Sequence, residues 1–387
     1  MARRSNNDGS VYQRTDGRWV GQITINGIKK YKYSKTKREA TAWINEMRQQ
    51  IEQGITARSM EMKLKEYLAE WLTTESSRLK KRTVIDYGGV IRVHINPALG
   101  RYKLSEIDPL LVERFYNRKR SQGTSERMLR LIHAILHHAL GDAVRKRLLG
   151  WNPTDAVTRP RPQAVEYVTW DATQVMSFLS YVESTRYAVL FAIALNTGMR
   201  KGELLGLKWQ DVDWSNQSLH IRRQVQRFPG EGLLFVDLKT KFSRRSISLG
   251  EGSMQKLRDQ GQLLDQDRML AGERWQEHDL LFPNSVGGPQ DPSNIASRFK
   301  QYSQEAGLPL IRFHDLRHTA ASLMMQLGAH PKVVQERLGH SRIATTMDIY
   351  SHVSPSMQQE IAQKMDVLLT PTVLEIGKKE EVKRKSE

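Results

Sequence analysis

Two stretches of this chain carry no hydrophobic period: residues 54–59 (GITARS) and residues 151–166, which hold Pro153, Pro160 and Pro162. Proline fixes φ and lacks a backbone donor, so neither a helix interior nor a central strand runs through the second stretch. The 387 residues are thereby cut into three segments, and each segment has its own apolar period. Such a chain cannot close around one core. It must build several.

In the first segment Trp19, Gly21, Ile23 and Ile25 alternate with Val20, Gln22 and Thr24. Asp16-Gly17 and Asn26-Gly27 flank this run. Both dipeptides favour the positive φ of a tight hairpin turn, which predicts a three-stranded antiparallel sheet. A helix over about residues 36–53 follows, with Ala40, Trp43, Ile44, Met47 and Ile51 at helical spacing. Sheet plus helix makes a two-layer domain over residues 1–54. The second segment predicts an all-helical domain over 62–152. Its first stripe is Leu64, Tyr67, Leu68 and Trp71; its second is Tyr87, Val90, Ile91 and Ile95, expected to stop near Asn96-Pro97. Two more helices are expected over about 109–121 and 125–149, then an extended linker over 151–166.

The third segment, 168–370, is mixed. Helices are expected at about 171–184, 187–196, 251–272, 291–306 and 354–368, with short strands at 218–225, 233–238 and 244–249. Residues 371–387 form a low-complexity, charged tail. The fold class expected is multidomain α+β: a small three-stranded sheet plus helix, an all-helical domain, and a mainly α domain with a small antiparallel sheet.

Charge points to a partner. The net charge is +18. Residues 1–60 carry +7 and residues 62–160 carry +9, while residues 161–387 carry only +3. An excess of this kind faces a polyanion, because each Lys or Arg that meets a phosphate releases condensed counterions. Lys29, Lys30, Lys32 and Lys35 cluster on the small sheet, which a DNA major groove can admit. The alternative is a basic, solvated edge that blocks sheet aggregation. Membranes are not expected, since the longest apolar run, residues 187–195, falls well short of the ~20 residues a span needs. Neither a secretory signal nor a lipidation motif is present. There is no cysteine, which excludes a disulfide scaffold, a cysteine nucleophile, Fe–S clusters and Cys-based zinc modules, and fits a reducing cytoplasm.

Six positions carry chemistry. Arg200 stands in LNTGMRKGELLGLKWQDVD, Lys239 in LKTKFSRRSISL, and His314 and Arg317 in HDLRH. His340 ends ERLGH and Tyr350 ends TTMDIY. Cleaving a phosphodiester without a metal needs a nucleophile, charge stabilisation on the phosphate and a proton for the leaving oxygen. Tyr serves as a covalent nucleophile, and its ordinary pKa of about 10 requires nearby cations to favour the phenolate. Two arginines grip non-bridging oxygens bidentately. His314 and Arg317, three residues apart on a helix, share one face. Lys239 competes with Lys241 in the same basic hairpin, and Glu203, one turn beyond Arg200, is placed to orient it.

The ordered set Arg…Lys…His-x-x-Arg…His…Tyr, with these flanks, resembles the tyrosine recombinases of the phage-integrase family across the third segment. IRVHINPALG resembles that family's core-binding domain, and the small sheet resembles its arm-binding domain. The resemblance implies a site-specific DNA recombinase, an integrase working through a 3′-phosphotyrosine, with Tyr350 as nucleophile. It further implies Lys239 as general acid and His340 as donor to a phosphate oxygen, with no cofactor. Its implied partners are double-stranded DNA at core and arm sites, a homotetramer on paired sites, an excision factor and a DNA-bending host protein. The implied location is the cytoplasm of a bacterial host, at the nucleoid. A type IB topoisomerase shares the catalytic set but has no need of an arm-binding module. A DNA-binding regulator would be equally basic, and HPKVVQERLGHSRIATTMDIY resembles a helix-turn-helix, yet a regulator has no use for the six positions together. HDLRH departs from the zinc pattern H-E-x-x-H at Asp315. No carboxylate sits among His133, His137 and His138 in HAILHHAL, so no metal is assigned.

Overall fold

The computed structural model describes residues 9–25, 28–52, 61–162, 168–238, 243–344 and 346–347, with five further positions between 362 and 369. The chain divides into two compact units, residues 1–165 and 166–387.

In the first unit β1 (Ser10–Gln13), β2 (Trp19–Ile25) and β3 (Ile28–Ser34) form an antiparallel sheet in that order. Gly17 has φ +80, as the first turn requires; the Asn26-Gly27 turn lies outside the described residues. One face carries α1 (Lys37–Glu52), and Ile23, Ile25 and Ile44 form its core. Gly21 makes the close approach possible, since a Cβ there would stand 2.8 Å from a ring carbon of Trp43.

A separate core holds the helices α2 (Leu64–Glu75), α3 (Lys81–Val90), α4 (Asn96–Leu99), α5 (Pro109–Ser121) and α6 (Glu126–Arg145). Asn96-Pro97 does not stop the second helix as expected. Ile91–Ile95 widen into a π turn in which the Asn96 N–H donates to the Ile91 carbonyl, and the chain runs on into α4. Pro97 then falls in the first turn of α4, where its missing N–H costs nothing. The expected linker also begins later than the prolines suggest. Pro153–Ala156 form a 3₁₀ turn capped by Asn152, and Val157 packs into the helical core. The Asn152 amide ties this turn to the His137 carbonyl at 3.1 Å.

In the second unit an aromatic cluster of Trp170, Phe178, Phe191, Phe299 and Phe313 anchors α7 (Ala172–Val182), α8 (Ala188–Thr197) and α11 (Pro292–Glu305). The stretch expected as one strand over 218–225 is two. β5 (Ser218–Ile221) lies between β4 (Val212–Asp213) and β8 (Arg245–Ser248), while β6 (Arg223–Phe228) pairs with β7 (Gly232–Asp237). The buried Asp211 explains the break. It pairs with Arg223 and also lies 3.8 Å from Arg222. Successive strand residues point to opposite faces, so one carboxylate can meet both only where the strand is interrupted. α10 (Glu251–Ala271), α12 (Asp315–Gln326), α13 (Pro331–Leu338) and the short α9 (Lys201–Leu205) complete the unit. Among the described residues no helix is long and apolar enough to cross a membrane. The helix expected over 354–368 lies almost entirely outside them.

Candidate active site

The site is built at the ends of α8, α9, α12 and α13. α8 ends at Gly198 in the left-handed conformation, φ +61, and the reversal places Arg200 at the N-cap of α9. Glu203, in the first turn of α9, accepts the Arg200 backbone N–H at 3.1 Å and its Nη1 at 2.8 Å. The same carboxylate accepts Nη2 of Arg245 at 3.0 Å. Glu203 is 1% exposed, yet these two guanidiniums hold its pKa below the ordinary range against the cost of burial. Arg245 also donates Nε to the Arg337 carbonyl at 2.7 Å, which ties β8 to the end of α13.

Arg317 enters from the first turn of α12. It is 3% exposed and donates Nη1 to the Gly198 carbonyl at 2.8 Å. Its Nη2 is buried with no hydrogen-bond partner. Burial first, and then repulsion from Arg200, push its pKa down to about 9. His314, at the N-cap of the same helix, is exposed at its rim; partial desolvation and the Arg317 charge hold it below its ordinary value. His340 follows the left-handed Gly339 that ends α13. It is buried, and its Nδ1 lies 2.9 Å from Thr346 Oγ1. Burial, then Arg317 and Arg200, push it down to about 3; His318, beside His314, is pushed to about 4. Two guanidiniums, Arg200 and Arg245, thus share the Glu203 carboxylate, beside a third, Arg317, that keeps a buried donor without an acceptor. Buried donors are almost always satisfied, so this arrangement is built to receive an anion.

Two outcomes are expected of this geometry. Gly198→Ala would set a Cβ 2.3 Å from Leu338 Cδ2 on a positive-φ residue. It should cost at least ~1–2 kcal/mol of stability, read as a lower denaturation midpoint, and should displace both the Arg317 acceptor and α13. The second concerns pH. The folded pKa values of His318 and His340 lie below the unfolded value of about 6.5, so the unfolded chain binds more protons between the two. Stability is therefore complete above about pH 6.5 and falls as pH drops toward 4. Denaturation at pH 7 and pH 5 should show this, with a smaller difference in His340→Gln.

The structure brings four of the six expected residues together: Arg200, His314, Arg317 and His340. Lys239 and Tyr350 lie outside the described residues; Lys239 falls between the ends of β7 and β8. Arg245 and Thr346 were not anticipated. A signal for Arg245 existed, since it is in strand phase with the buried Ile247 and Leu249.

The basic cluster on the small sheet divides between its faces. Register pairs Ile23 with Lys30 and Gly21 with Lys32, on the side that carries α1. The open side carries Lys29 opposite Thr24, Tyr31 opposite Gln22, and Tyr33 and Tyr12 on either side of Val20. Arg14 and Arg18 lie over the Tyr33 ring at 5.5 and 5.8 Å. Lys30 pairs with Glu61 at 2.6 Å, and Lys35 lies just beyond β3. The histidines of α6 gain acidic neighbours: Asp155 meets His137 at 3.0 Å, and Glu75, from another helix, joins Asp142, one turn along α6, beside His138. Asp142 already accepts Trp71 Nε1 at 2.7 Å and pairs with Arg145, and Glu75 meets Arg78 at 3.3 Å. These contacts account for the carboxylates as helix-packing partners.

The phage integrase family matches residues 169–357, a span that holds all six positions. The N-terminal SAM-like domain of phage integrases matches residues 63–120. A XerC-like tyrosine recombinase of Caldanaerobacter subterraneus subsp. tengcongensis is 28% identical over 366 residues, 88% of this chain and 92% of its own. The Tn1549 transposon integrase, solved in complex with transposon right-end DNA, has the same fold. Its TM-score is 0.68 at 21% identity, over 80% of this chain and 100% of the other. Lambda integrase, solved as a tetramer bound to a Holliday junction, gives a TM-score of 0.57 at 18% identity, over 90% and 96%. The chain belongs to the phage integrase family and is a tyrosine-type site-specific recombinase.

Proposed function

We propose that this recombinase cuts and rejoins double-stranded DNA through a 3′-phosphotyrosine intermediate, and so integrates and excises a mobile element. Arg200 and Arg317 grip the non-bridging oxygens of the scissile phosphate, with His314 and His340 as further donors. The Tyr350 phenolate, its proton given up to solvent, attacks phosphorus, the bond to the 5′ oxygen breaks, and Lys239 supplies the proton that oxygen needs. The phosphotyrosine keeps the energy of the broken bond, so a 5′ hydroxyl from the partner duplex reverses the step without a cofactor. The observation that carries this reading is Arg317, a buried guanidinium whose Nη2 has no acceptor.

The remaining parts follow from charge and architecture. Residues 1–54 bind arm sites through the open, tyrosine-rich face of the sheet, where Lys29 lies; Lys35, just beyond β3, meets a backbone phosphate, while Lys30 and Lys32 stand on the helix side. Residues 62–152 bind the core site, and residues 168–370 carry the chemistry. Four protomers assemble on paired sites, a reading supported by the tetrameric assembly of lambda integrase. An excision factor and a DNA-bending host protein set direction, in the cytoplasm of a bacterial host at the nucleoid. The test begins with duplexes selected from genomic fragments by binding. A nicked suicide version should trap a covalent protein–DNA adduct, and two sites mixed together should exchange strands. Binding without adduct would leave a regulator; adduct with relaxation but no exchange would leave a topoisomerase.

A further inference from the structure

Thr346 is wholly buried, although its neighbour Met347 is 41% exposed. Its N–H closes onto the Ile343 carbonyl at 2.8 Å. That turn brings Oγ1 to 2.9 Å from His340 Nδ1. Tyr350 lies four residues further along. The chain therefore folds back onto the His340 ring just before the nucleophile.

A hydroxyl and an imidazole nitrogen can bond in either polarity. If Nδ1 carries the proton, Nε2 presents a lone pair. If the hydroxyl donates, Nδ1 is the acceptor and a neutral ring must keep its single proton on Nε2. Burial and the neighbouring arginines keep this ring neutral at pH 7, so it has one proton to place. A phosphate oxygen offers only lone pairs, and a ring facing it with another would repel it. We infer that Thr346 is a positioning residue: its hydroxyl donates to His340 Nδ1 and fixes the Nε2–H tautomer that donates to the scissile phosphate. This rests on the reading of His340 as a phosphate donor. The same bond fixes the ring plane, as outer partners do for histidines that bind metals.

The test uses the full chain with ¹⁵N-labelled histidine, and His340→Gln assigns the signal. In the parent and in Thr346→Ser the His340 ring should be in the Nε2–H form, and the two should cleave the selected suicide duplex within about threefold of each other. Thr346→Val keeps the shape and removes the donor. Its ring should shift toward the Nδ1–H form, and single-turnover cleavage should fall about ten- to a hundredfold at unchanged DNA affinity. An Nδ1–H ring in the parent, an unchanged tautomer in Thr346→Val, or cleavage by Thr346→Val within threefold of the parent would each overturn the inference. The tautomer readout needs no DNA. It judges Thr346 separately from the reading of His340, which fails if His340→Leu, whose side chain has no donor, cleaves like the parent.

Discussion

Tyr350→Phe is expected to bind the selected duplex as the parent does and to leave no covalent adduct at all. The substitution removes one oxygen and keeps the ring, so the proposed attacking atom is gone while every cation proposed to grip the phosphate remains. No graded loss is expected, because water cannot replace a nucleophile whose product must hold the DNA end for rejoining. Denaturing gels of the suicide duplex read the result directly. An adduct retained by Tyr350→Phe would transfer the role to another tyrosine, of which Tyr181 and Tyr302 lie in the same unit.

Arg317→Met should slow cleavage about 10²–10³-fold, on the order of 3–4 kcal/mol of transition-state stabilisation, while DNA affinity falls far less. Many other cations hold the backbone. The fold should survive, because the charged guanidinium is itself unfavourable in the free protein. Its pKa is depressed to about 9 by burial and by Arg200, so at pH 7 the native state gives up stability to keep it charged. Methionine fills similar volume and relieves that cost, leaving only the Gly198 carbonyl without its donor. Single-turnover cleavage and a denaturation curve on the same preparation check both halves. A large fall in stability with normal cleavage of bound duplex would contradict the assignment.

That unfavourable burial shows where reading residues in order reaches its limit. Arg200, His314, Arg317 and His340 stood out because motif order and helical spacing are local properties, and the fold brought those four to one place. Glu203 was legible for the same reason, lying three residues from the arginine it orients. Arg245 was legible only in its strand phase with Ile247 and Leu249. Its partner is 42 residues away along the chain, so the buried carboxylate that explains an inward-facing arginine needed the fold. Thr346 was missed because a threonine has no ionisable group, and its importance lies in a bond to one particular ring nitrogen.

Period, turn chemistry and charge were enough to lay out the small sheet with its helix, the helical bundle and the mixed unit, since each depends on residues a few positions apart. They also singled out the motif proposed to bind the phosphate. Three things needed the folded chain. Strand register put Lys30 and Lys32 on the helix side of the sheet and left tyrosines on the open side, because a period of two assigns faces only once the helix has chosen one. The π turn at Ile91–Ile95 set Pro97 in the first turn of a new helix, where it costs no hydrogen bond, while Ile95 and Leu99 are buried in the helical core. The third is the electrostatic state of the site. Charge and pKa depend on what surrounds a group in three dimensions, and burial of Arg317 among other cations is a property of packing that no single stretch of sequence contains.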